Sequence, residues 1–435
     1  MIQKFLNPVL ILITGFITFS CTSESEDSLA TPQEPVQSEQ TEEPVIVERK
    51  EISLPQAERD MADLLNSFGI QFTADACRYI DSRNSPENTN IVCSPLGAEF
   101  ILSIMANGVD DTAKEEILHY LGVSDMEILN SLNRILMEAL PTADISTKMN
   151  ISNALWFNTN LVNGLNNDFA SIFSNKYSGD INNSNFYTQN KETINQINKW
   201  GSETTNGLIP NFLEKLDTDL LAIMVNSWYF KGLWYNKPFN PESTTKGIFH
   251  GNTKDTEIEM MRSNTISCRY NADNDFEYFV LPYGNKTFAM HILLPKDTEF
   301  EASINDLITW ERLQRMEKNA SSYQLQITMP KFKCEARLNL SDLFSNAGVM
   351  KGLGGEVGFT MFDKSKNGIL KFNQALSLSV DESGAEAAAI TWSGAFESAG
   401  EESAILKLAL DRPFYFFIQE FSTGAIMMSG RISDL

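Results

Sequence analysis

The sequence predicts an α+β fold built as one large domain, with helices concentrated early in the chain and strands late. Segments with apolar residues at helical spacing dominate the first third of the 435 residues, whereas alternating, strand-like segments dominate the last two thirds. Hydrophobic residues make up 42% of the chain, which is ample for a core. No linker-like segment interrupts residues 56–435, so we expect a single folded domain over that range.

Five stretches have apolar residues at helical spacing and predict helices. The second begins as a short predicted strand and then has a Ser-Pro turn, which is typical of a helix start, and the third ends at Gly122. The fourth breaks at Asn206-Gly207. In chain order they are ERDMADLLNSFGIQFTADACRYI from 58, NIVCSPLGAEFILSIMANGV from 90, TAKEEILHYLGV from 112, NKETINQINKWGSETTNGLI from 190 and LSDLFSNAGVM from 340.

The strands are predicted from alternating or continuously apolar runs. The C-terminal run from Pro413 predicts a hairpin that turns at Thr423-Gly424. We expect the run from Tyr323 to form one strand that continues past Pro330. In chain order the runs are KMNISNALWFN, LAIMVNSWYFKGLW, FEYFVLPYG, TFAMHILLPK, YQLQITMPKFKCEARLNL and PFYFFIQEFSTGAIMMSGRI.

Composition and motifs argue against several classes of function. The formal net charge is −23 and no dense Lys/Arg run occurs, which argues against nucleic-acid and polyanion binding. The three histidines, His119, His250 and His291, stand in no metal-binding or catalytic motif. We therefore expect no enzyme, no cofactor and no metal site. We expect His291 to be a packed strand residue.

The N-terminus predicts export and anchoring. Residues 1–20 carry Lys4 and a short apolar run, which is typical of a signal peptide. Ser20-Cys21 resembles the lipobox of bacterial lipoproteins, which implies a lipidated Cys21; an ordinary secretory signal is the alternative. Residues 21–55 lack aromatics and are rich in Ser, Glu, Pro and Gln, so we expect a disordered tether. We expect an outer-membrane lipoprotein of the cell envelope, and the sequence leaves open which side the domain faces.

Four cysteines remain if the first is lipidated. They are far apart and show no CxxC or Cys/His spacing, so we expect buried thiols and no zinc site. The sequence leaves open whether an oxidising compartment pairs any of them. They are Cys77, Cys93, Cys268 and Cys334.

The stretch DESGAEAAAITWSGAFESAG, residues 381–400, combines features of a strand and of a loop. From Ala385 to Ala395 every second side chain is small, which suits a strand that enters a packed space. The flanking Gly, Ser and Glu residues indicate an exposed loop instead.

Five motifs make the chain from about Glu58 to Leu435 resemble the serpin family. They occur in the family's order and span the whole domain, which makes the resemblance specific. The motifs are NIVCSPLGAEFILSIMANGVDDTAKEEI, MVNSWYFKGLWYNKPF, ITMPKFK, VDESGAEAAA and DRPFYFFIQEFSTGAIMMSGRI.

The resemblance implies three β-sheets, about nine helices and an exposed reactive-centre loop that serves as bait. A serine protease cuts the loop and forms an acyl-enzyme, and the cut loop then inserts as an extra strand into the largest sheet. The protease is distorted before it can deacylate. We therefore expect a monomeric, irreversible inhibitor that forms a covalent complex with its target protease. A non-inhibitory serpin that binds a ligand or partner is the alternative.

The resemblance also assigns roles to single residues. Ser94 and Asn226 match the shutter under the large sheet. Gln374 stands where the family usually has His, and Gly97 replaces a common Ser. Trp234 matches the Trp at the top of the sheet, where the loop first enters. The hinge of the loop is of inhibitory type because its side chains are small. The hinge residues are Glu382, Gly384, Ala385, Ala387, Ala388 and Ala389.

The reactive bond follows from the family's usual hinge length, counted from Glu382. This count gives Ser398-Ala399, and hinges one or two residues shorter give Glu397-Ser398 or Phe396-Glu397. A small residue favours elastase-like or subtilisin-like proteases, whereas Phe396 favours chymotrypsin-like ones. The loop has no Lys or Arg, which disfavours trypsin-like targets. Inhibition of cysteine proteases is left open.

Overall fold

The computed structural model describes residues 49–82, 90–297, 302–349, 357–384 and 404–435. These residues belong to one compact unit. They form eight α-helices and seventeen strands in three sheets, which confirms the α+β prediction. Within these ranges no helix combines the length and the apolar character needed to cross a bilayer.

The helix ends follow local chemistry. The Ser94 side chain accepts a hydrogen bond from the Gly97 N–H at the start of the second helix, and Gly122 ends the third with φ +73°. The helices are α1 (Gln56–Ser82), α2 (Pro95–Ala106), α3 (Asp111–Leu121), α4 (Met126–Ala139), α5 (Asn167–Tyr177), α6 (Asn190–Thr204), α7 (Trp310–Lys318) and α8 (Leu340–Asn346).

Each predicted strand run contains a strand, and the C-terminal hairpin turns at the predicted position, with Gly424 at φ +73°. They are β1 (Ile91–Cys93), β2 (Lys148–Asn158), β3 (Gly179–Ser184), β4 (Leu220–Lys231), β5 (Thr245–His250), β6 (Asp255–Arg262), β7 (Ile266–Ala272), β8 (Phe276–Pro282), β9 (Phe288–Pro295), β10 (Ser321–Pro330), β11 (Phe332–Asn339), β12 (Gly358–Phe359), β13 (Lys366–Asn367), β14 (Ile369–Val380), β15 (Leu406–Ala409), β16 (Phe414–Glu420) and β17 (Ile426–Ile432).

The strands form one ten-stranded, one five-stranded and one two-stranded sheet. The large sheet runs β1-β17-β16-β9-β8-β7-β10-β6-β5, with β15 also paired to β10. The five-stranded sheet, here called the central sheet, runs β11-β14-β4-β2-β3, and β12 pairs with β13.

The central sheet is covered on both faces. One face packs on the main core, where α2 contacts β4 and β14, and the other packs on a smaller core with α6. Almost every residue of β4 is therefore buried, as its continuously apolar sequence requires. β14 pairs with β4 directly and in parallel. This pairing between β4 and β14 is called the seam below.

The prediction of one strand running past Pro330 is wrong. The run is divided at Lys331, with β10 in the large sheet and β11 in the central sheet. Pro330 has no N–H for a further ladder bond, and the Lys331 N–H donates to Glu259 O at 2.9 Å. The chain leaves one sheet for the other at this point.

His291 and the described cysteines take part in the packing of the fold. His291 is 6% exposed, and its Nδ1 lies 2.7 Å from the Tyr278 hydroxyl. Burial lowers the pKa of His291 to about 3, so its imidazole is neutral. The four cysteines after residue 48 are free thiols, three of them buried and Cys334 half-buried. In the described ranges no three His, Cys, Asp or Glu side chains are grouped to hold a metal.

Candidate functional site

Residues 381–384 lead from the end of β14 toward the predicted loop. Asp381 and Gly384 exchange backbone hydrogen bonds of 2.8 and 3.1 Å, which closes a tight turn. Trp234 holds this turn from the side. Its backbone N–H donates to Ser383 O at 3.0 Å, and its indole Nε1 donates to Asp381 O at 2.9 Å.

Gly384 is required by both its conformation and its surroundings. Its φ is +126°, where side-chain-bearing residues are strained. A Cβ at this position would lie 2.2 Å from Gly232 O and 2.8 Å from the Trp234 N atom. The close approach of the turn to the chain at Gly232–Trp234 therefore depends on the missing side chain.

Trp234 is part of the core rather than of the surface. It is 2% exposed and stacks on Tyr283 with ring centroids 4.3 Å apart and an interplanar angle of 11°. Its ring is thereby fixed in the orientation that lets Nε1 reach the turn. The structure thus places Trp234 directly against the hinge residues that it describes.

Glu382 fastens the same turn to the large sheet. It is 8% exposed, its Oε1 lies 3.0 Å from Lys331 Nζ, and the Thr244 hydroxyl donates to the same oxygen. Burial alone would raise the pKa of Glu382, but the hydrogen bonds from Thr244 and Lys331 bring it below its ordinary value. The side chain is therefore held as a paired carboxylate.

A row of polar side chains crosses the seam on the face of the central sheet that packs against the start of α2. Asn153, Asn226 and Gln374 are register partners on β2, β4 and β14, and all are fully buried. Gln374 Oε1 accepts from the Ser94 N–H at 2.8 Å, and its Nε2 donates to Ser94 O at 3.0 Å and to Asn226 Oδ1 at 3.3 Å. Asn226 Nδ2 donates to Asn153 Oδ1 at 2.9 Å. The start of α2 and three strands are thus joined by one network.

Gly97 leaves the space that this network occupies. A Cβ there would lie 2.3 Å from Asn226 Oδ1, 2.4 Å from Trp228 Nε1 and 2.6 Å from Gln374 Nε2. The two departures from the family pattern, at Gly97 and Gln374, therefore belong together. The long Gln side chain fits under the seam because residue 97 has no side chain.

Comparison with known proteins identifies the fold seen here. The family model described as "Serpin (serine protease inhibitor)" matches residues 69–435. The chain belongs to the serpin family. Serpins are generally protease inhibitors and bind target proteases, rather than being proteases themselves.

Relatives cover nearly the whole domain. The Leukocyte elastase inhibitor of Xenopus laevis is 28% identical over 392 residues, which are 85% of this chain and 99% of that protein. AtSerpin1 of Arabidopsis, in its native stressed conformation, has a TM-score of 0.76 at 24% identity and covers 88% of this serpin and 99% of its own chain. Human thyroxine-binding globulin in complex with thyroxine has a TM-score of 0.75 at 18% identity and covers 87% of this serpin and 99% of its own chain.

Part of the predicted serpin site lies outside the described residues. The described members are brought together in two places: Glu382, Gly384 and Trp234 at the hinge, and Ser94, Asn226 and Gln374 under the seam. The predicted residues outside the described ranges are Cys21, Ala385, Ala387, Ala388, Ala389, Phe396, Glu397, Ser398 and Ala399.

Sequence reasoning missed three contributors to these two places. Lys331 and Thr244 hold Glu382, and Asn153 extends the row under the seam. Asn153 leaves a signal in the sequence, because an amide in the middle of a buried apolar strand needs a hydrogen-bond partner. Lys331 falls inside the ITMPKFK motif, but its partner is 51 positions later, at Glu382, and no local pattern connects them.

Proposed function

We propose that this serpin is an irreversible inhibitor of serine proteases that traps its target by inserting the cut reactive loop into the seam. The observation that carries the proposal is the position of the hinge. Residues 381–384 continue β14 and turn away from the sheet beside β4, at the end of the strand pair that an inserted loop would separate. The sequence beyond Gly384, AEAAAITWSGAF, has the small alternate side chains that such a strand needs.

The seam offers a clear order of events. Insertion replaces the direct β4–β14 pairing with two new pairings, one on each side of the loop. The hydrogen bond from Gln374 to Asn226 crosses the seam and breaks when the strands part. The turn held by Trp234 and Glu382 opens first, since it lies at the point where the loop leaves β14. The cost of opening is offset by the strand gained.

The targets are proposed from the loop sequence. With the reactive bond at Ser398-Ala399, the bait residue is small and suits shallow pockets of elastase-like and subtilisin-like proteases. Phe396 as bait suits chymotrypsin-like proteases instead. The relative from Xenopus laevis is named for an elastase target, which agrees with the first assignment.

The test is to mix the full-length protein with pancreatic elastase, subtilisin or chymotrypsin and run denaturing gels. We expect a band at the summed mass that survives boiling in detergent, and mass spectrometry of the released C-terminal peptide then locates the cut bond. Cleavage of the loop by all three proteases with no stable complex would contradict the proposal.

We also propose that the protein is a lipoprotein of the cell envelope, anchored through Cys21. The support is the signal-like segment of residues 1–20, which ends in Ser20 directly before Cys21. Expression in a bacterial host with labelled fatty acid is expected to label the wild type. The variant Cys21→Ala is expected to lose both the label and membrane association. An unlabelled wild type would contradict the anchor.

A second candidate function is the binding of an amphipathic organic anion. A cavity of about 1170 Å³ lies among α1, α7, strands β7–β9 and the turn after β16, in a chain of net charge −23. Six basic and three acidic side chains line it, together with aromatic surface from Trp310 and Phe421. Thyroxine, the ligand bound in the globulin structure, is a suitable probe. Calorimetric binding that Arg269→Gln weakens would support this candidate, and no heat at millimolar thyroxine would reject it.

A further inference from the structure

Glu99 is a buried carboxyl group in the middle of α2. It is 1% exposed, and its Oε1 accepts hydrogen bonds from Ser103 Oγ at 2.5 Å and from Asn133 Nδ2 at 2.8 Å. Within the described residues its Oε2 and the nearby Asn133 Oδ1 are both buried without a hydrogen-bond partner. A charged carboxylate in this environment is costly, whereas a protonated one is a neutral group.

Among the described residues around Glu99, no basic group offsets its charge. From α4 it faces the amide of Asn133, and the Tyr177 hydroxyl at the end of α5 lies 3.4 Å from the same amide nitrogen. From α1 and β17 it faces Asn66, Ile426 and apolar side chains around a cavity of about 20 Å³. Of these groups only Tyr177 is titratable, and burial followed by the Glu99 charge raises its pKa.

Burial shifts the pH at which Glu99 loses its proton toward neutral. Burial raises the pKa of Glu99 from 4.5 to about 7, against the smaller opposite effects of the hydrogen bonds from Ser103 and Asn133. The buried Oε2 without a hydrogen-bond partner and the raised pKa of Glu99 are therefore consistent with each other. Both say that the proton on Glu99 stabilises the native fold.

Glu99 lies on the helix that closes the seam from below. α2 contacts β4 and β14, and its N-cap Ser94 is held at both backbone groups by Gln374, which also donates to Asn226 across the seam. A disturbance in the seating of α2 against α4 and α5 reaches the seam through this network of direct contacts.

We propose that loss of the proton from Glu99 loosens α2 and lowers the barrier to opening the seam. The native serpin therefore converts to a form with an opened seam more readily at alkaline than at acidic pH. The effect on protease trapping rests on the proposed function. The effect on the native fold is measured without a protease, so the two can fail separately.

The sign of the pH dependence follows from linkage. Unfolded Glu99 ionises at 4.5, whereas folded Glu99 keeps its proton up to about 7. Native stability due to this group is therefore full below pH 4.5, falls as pH rises through the window between the two values, and stays low above pH 7. Each pH unit inside the window changes the unfolding equilibrium about tenfold, which sets an upper limit for the effect on opening of the seam.

The test compares full-length wild type with Glu99→Gln between pH 5 and 8.5. The readouts are the unfolding temperature and the rate of spontaneous conversion at a fixed elevated temperature. Gln keeps the shape and the acceptor oxygen but cannot ionise. We expect the rate of wild-type conversion to rise from pH 5 to 7.5 by up to about a hundredfold relative to the Gln variant, with the two proteins alike at pH 5.

Two further variants make the result decisive. Glu116→Gln removes an exposed carboxyl group from α3 and is expected to keep the wild-type pH profile. Glu99→Ala tests the same proton without relying on the Gln side chain and is expected to lose the pH profile. A Glu99→Gln or Glu99→Ala protein that keeps the wild-type pH profile would overturn the proposal.

Discussion

Gly97 lies at the start of α2, where Asn226, Trp228 and Gln374 occupy the space of a side chain. At the scale of single residues, the site depends on glycines whose lack of a side chain leaves space and on a carboxylate that is held by its partners. Gly384 lets the hinge turn approach the chain at Gly232, and Glu382 is held by one cation and one hydroxyl. Each of these features can be removed by a single substitution.

The substitution Gly97→Ala is expected to destabilise the native protein by about 1–3 kcal/mol, because the new methyl group collides with three buried polar atoms. This cost exceeds the gain of about 1 kcal/mol that Ala brings to a helix. The matched control is Gly164→Ala, whose Cβ would have no neighbour within 4 Å. The unfolding temperature of both variants checks the prediction, and an unchanged value for Gly97→Ala would contradict it.

The substitution Glu382→Gln is expected to destabilise the native protein by about 1–3 kcal/mol at neutral pH, because Lys331 then loses the nearer of its two carboxylate partners, Glu382 at 3.0 Å and Glu259 at 3.5 Å. The pKa of folded Glu382 is below 4.5, so this stabilisation is present above pH 4.5 and is lost as pH falls below it. Unfolding temperatures from pH 3 to 7 should converge for variant and wild type at the acid end.

The control for Glu382 is an exposed ion pair. Lys246 and Glu257 lie 2.6 Å apart with side chains 74% and 56% exposed, and Glu257→Gln should leave the unfolding temperature nearly unchanged. Equal effects of the two Gln substitutions would show that the hinge pair is no more than a surface contact.

At the scale of elements, the site is the meeting of β4, β14 and the loop that follows. β14 ends at Val380, and the four residues after it already leave the sheet under the hold of Trp234. The loop sequence beyond them needs a face of small side chains to become a strand. This requirement can be tested at its first position.

The substitution Ala385→Arg is expected to turn the proposed inhibitor into a substrate. Insertion would bury the new charge without a partner, which costs several kcal/mol and slows insertion relative to hydrolysis of the acyl-enzyme. The yield of the detergent-stable complex, compared with the yield of cut serpin, measures the partition. Ala385→Ser is the neutral control. Complex formation by the Arg variant at the wild-type yield would contradict a role for the hinge in insertion.

The sequence predicted most elements because their periodicity is local. β2, β4 and the C-terminal hairpin were recognisable from apolar alternation, and Gly122 and Gly424 adopt the positive φ that their turns require. The division at Lys331 was not recognisable, because the alternation continues through it. The sheet that a strand joins is decided by partners far away in the chain, and periodicity carries no information about them.

The site was predictable only as far as the motifs reached. Gln374 and Gly97 both depart from the serpin pattern in the sequence. That each depends sterically on the other can be seen only from the distances between α2, β4 and β14. Glu99 carried no signal, since one carboxyl group in an apolar helix does not reveal whether it faces solvent or the core. Its burial became known only from the packing of α1, α4 and α5 around α2.

At the scale of the whole molecule, the described residues give the central sheet five strands, and the proposed function makes the loop sequence a sixth. The seam is closed by direct pairing, by the network under it and by the hinge turn beside it. In the proposed function such a native state is held by a kinetic barrier, and its stability is measured as a rate.

The most direct measurement is the unfolding temperature of the full-length protein before and after its loop is cut once by a small amount of a metalloprotease such as thermolysin, which forms no acyl-enzyme and so cannot be trapped. We predict a large rise on cleavage, because the freed loop enters the seam and adds a central strand. The same cut in Ala385→Arg should give a smaller rise. An unfolding temperature that stays the same or falls in the cut wild type would mean that the loop does not insert, and would contradict the account.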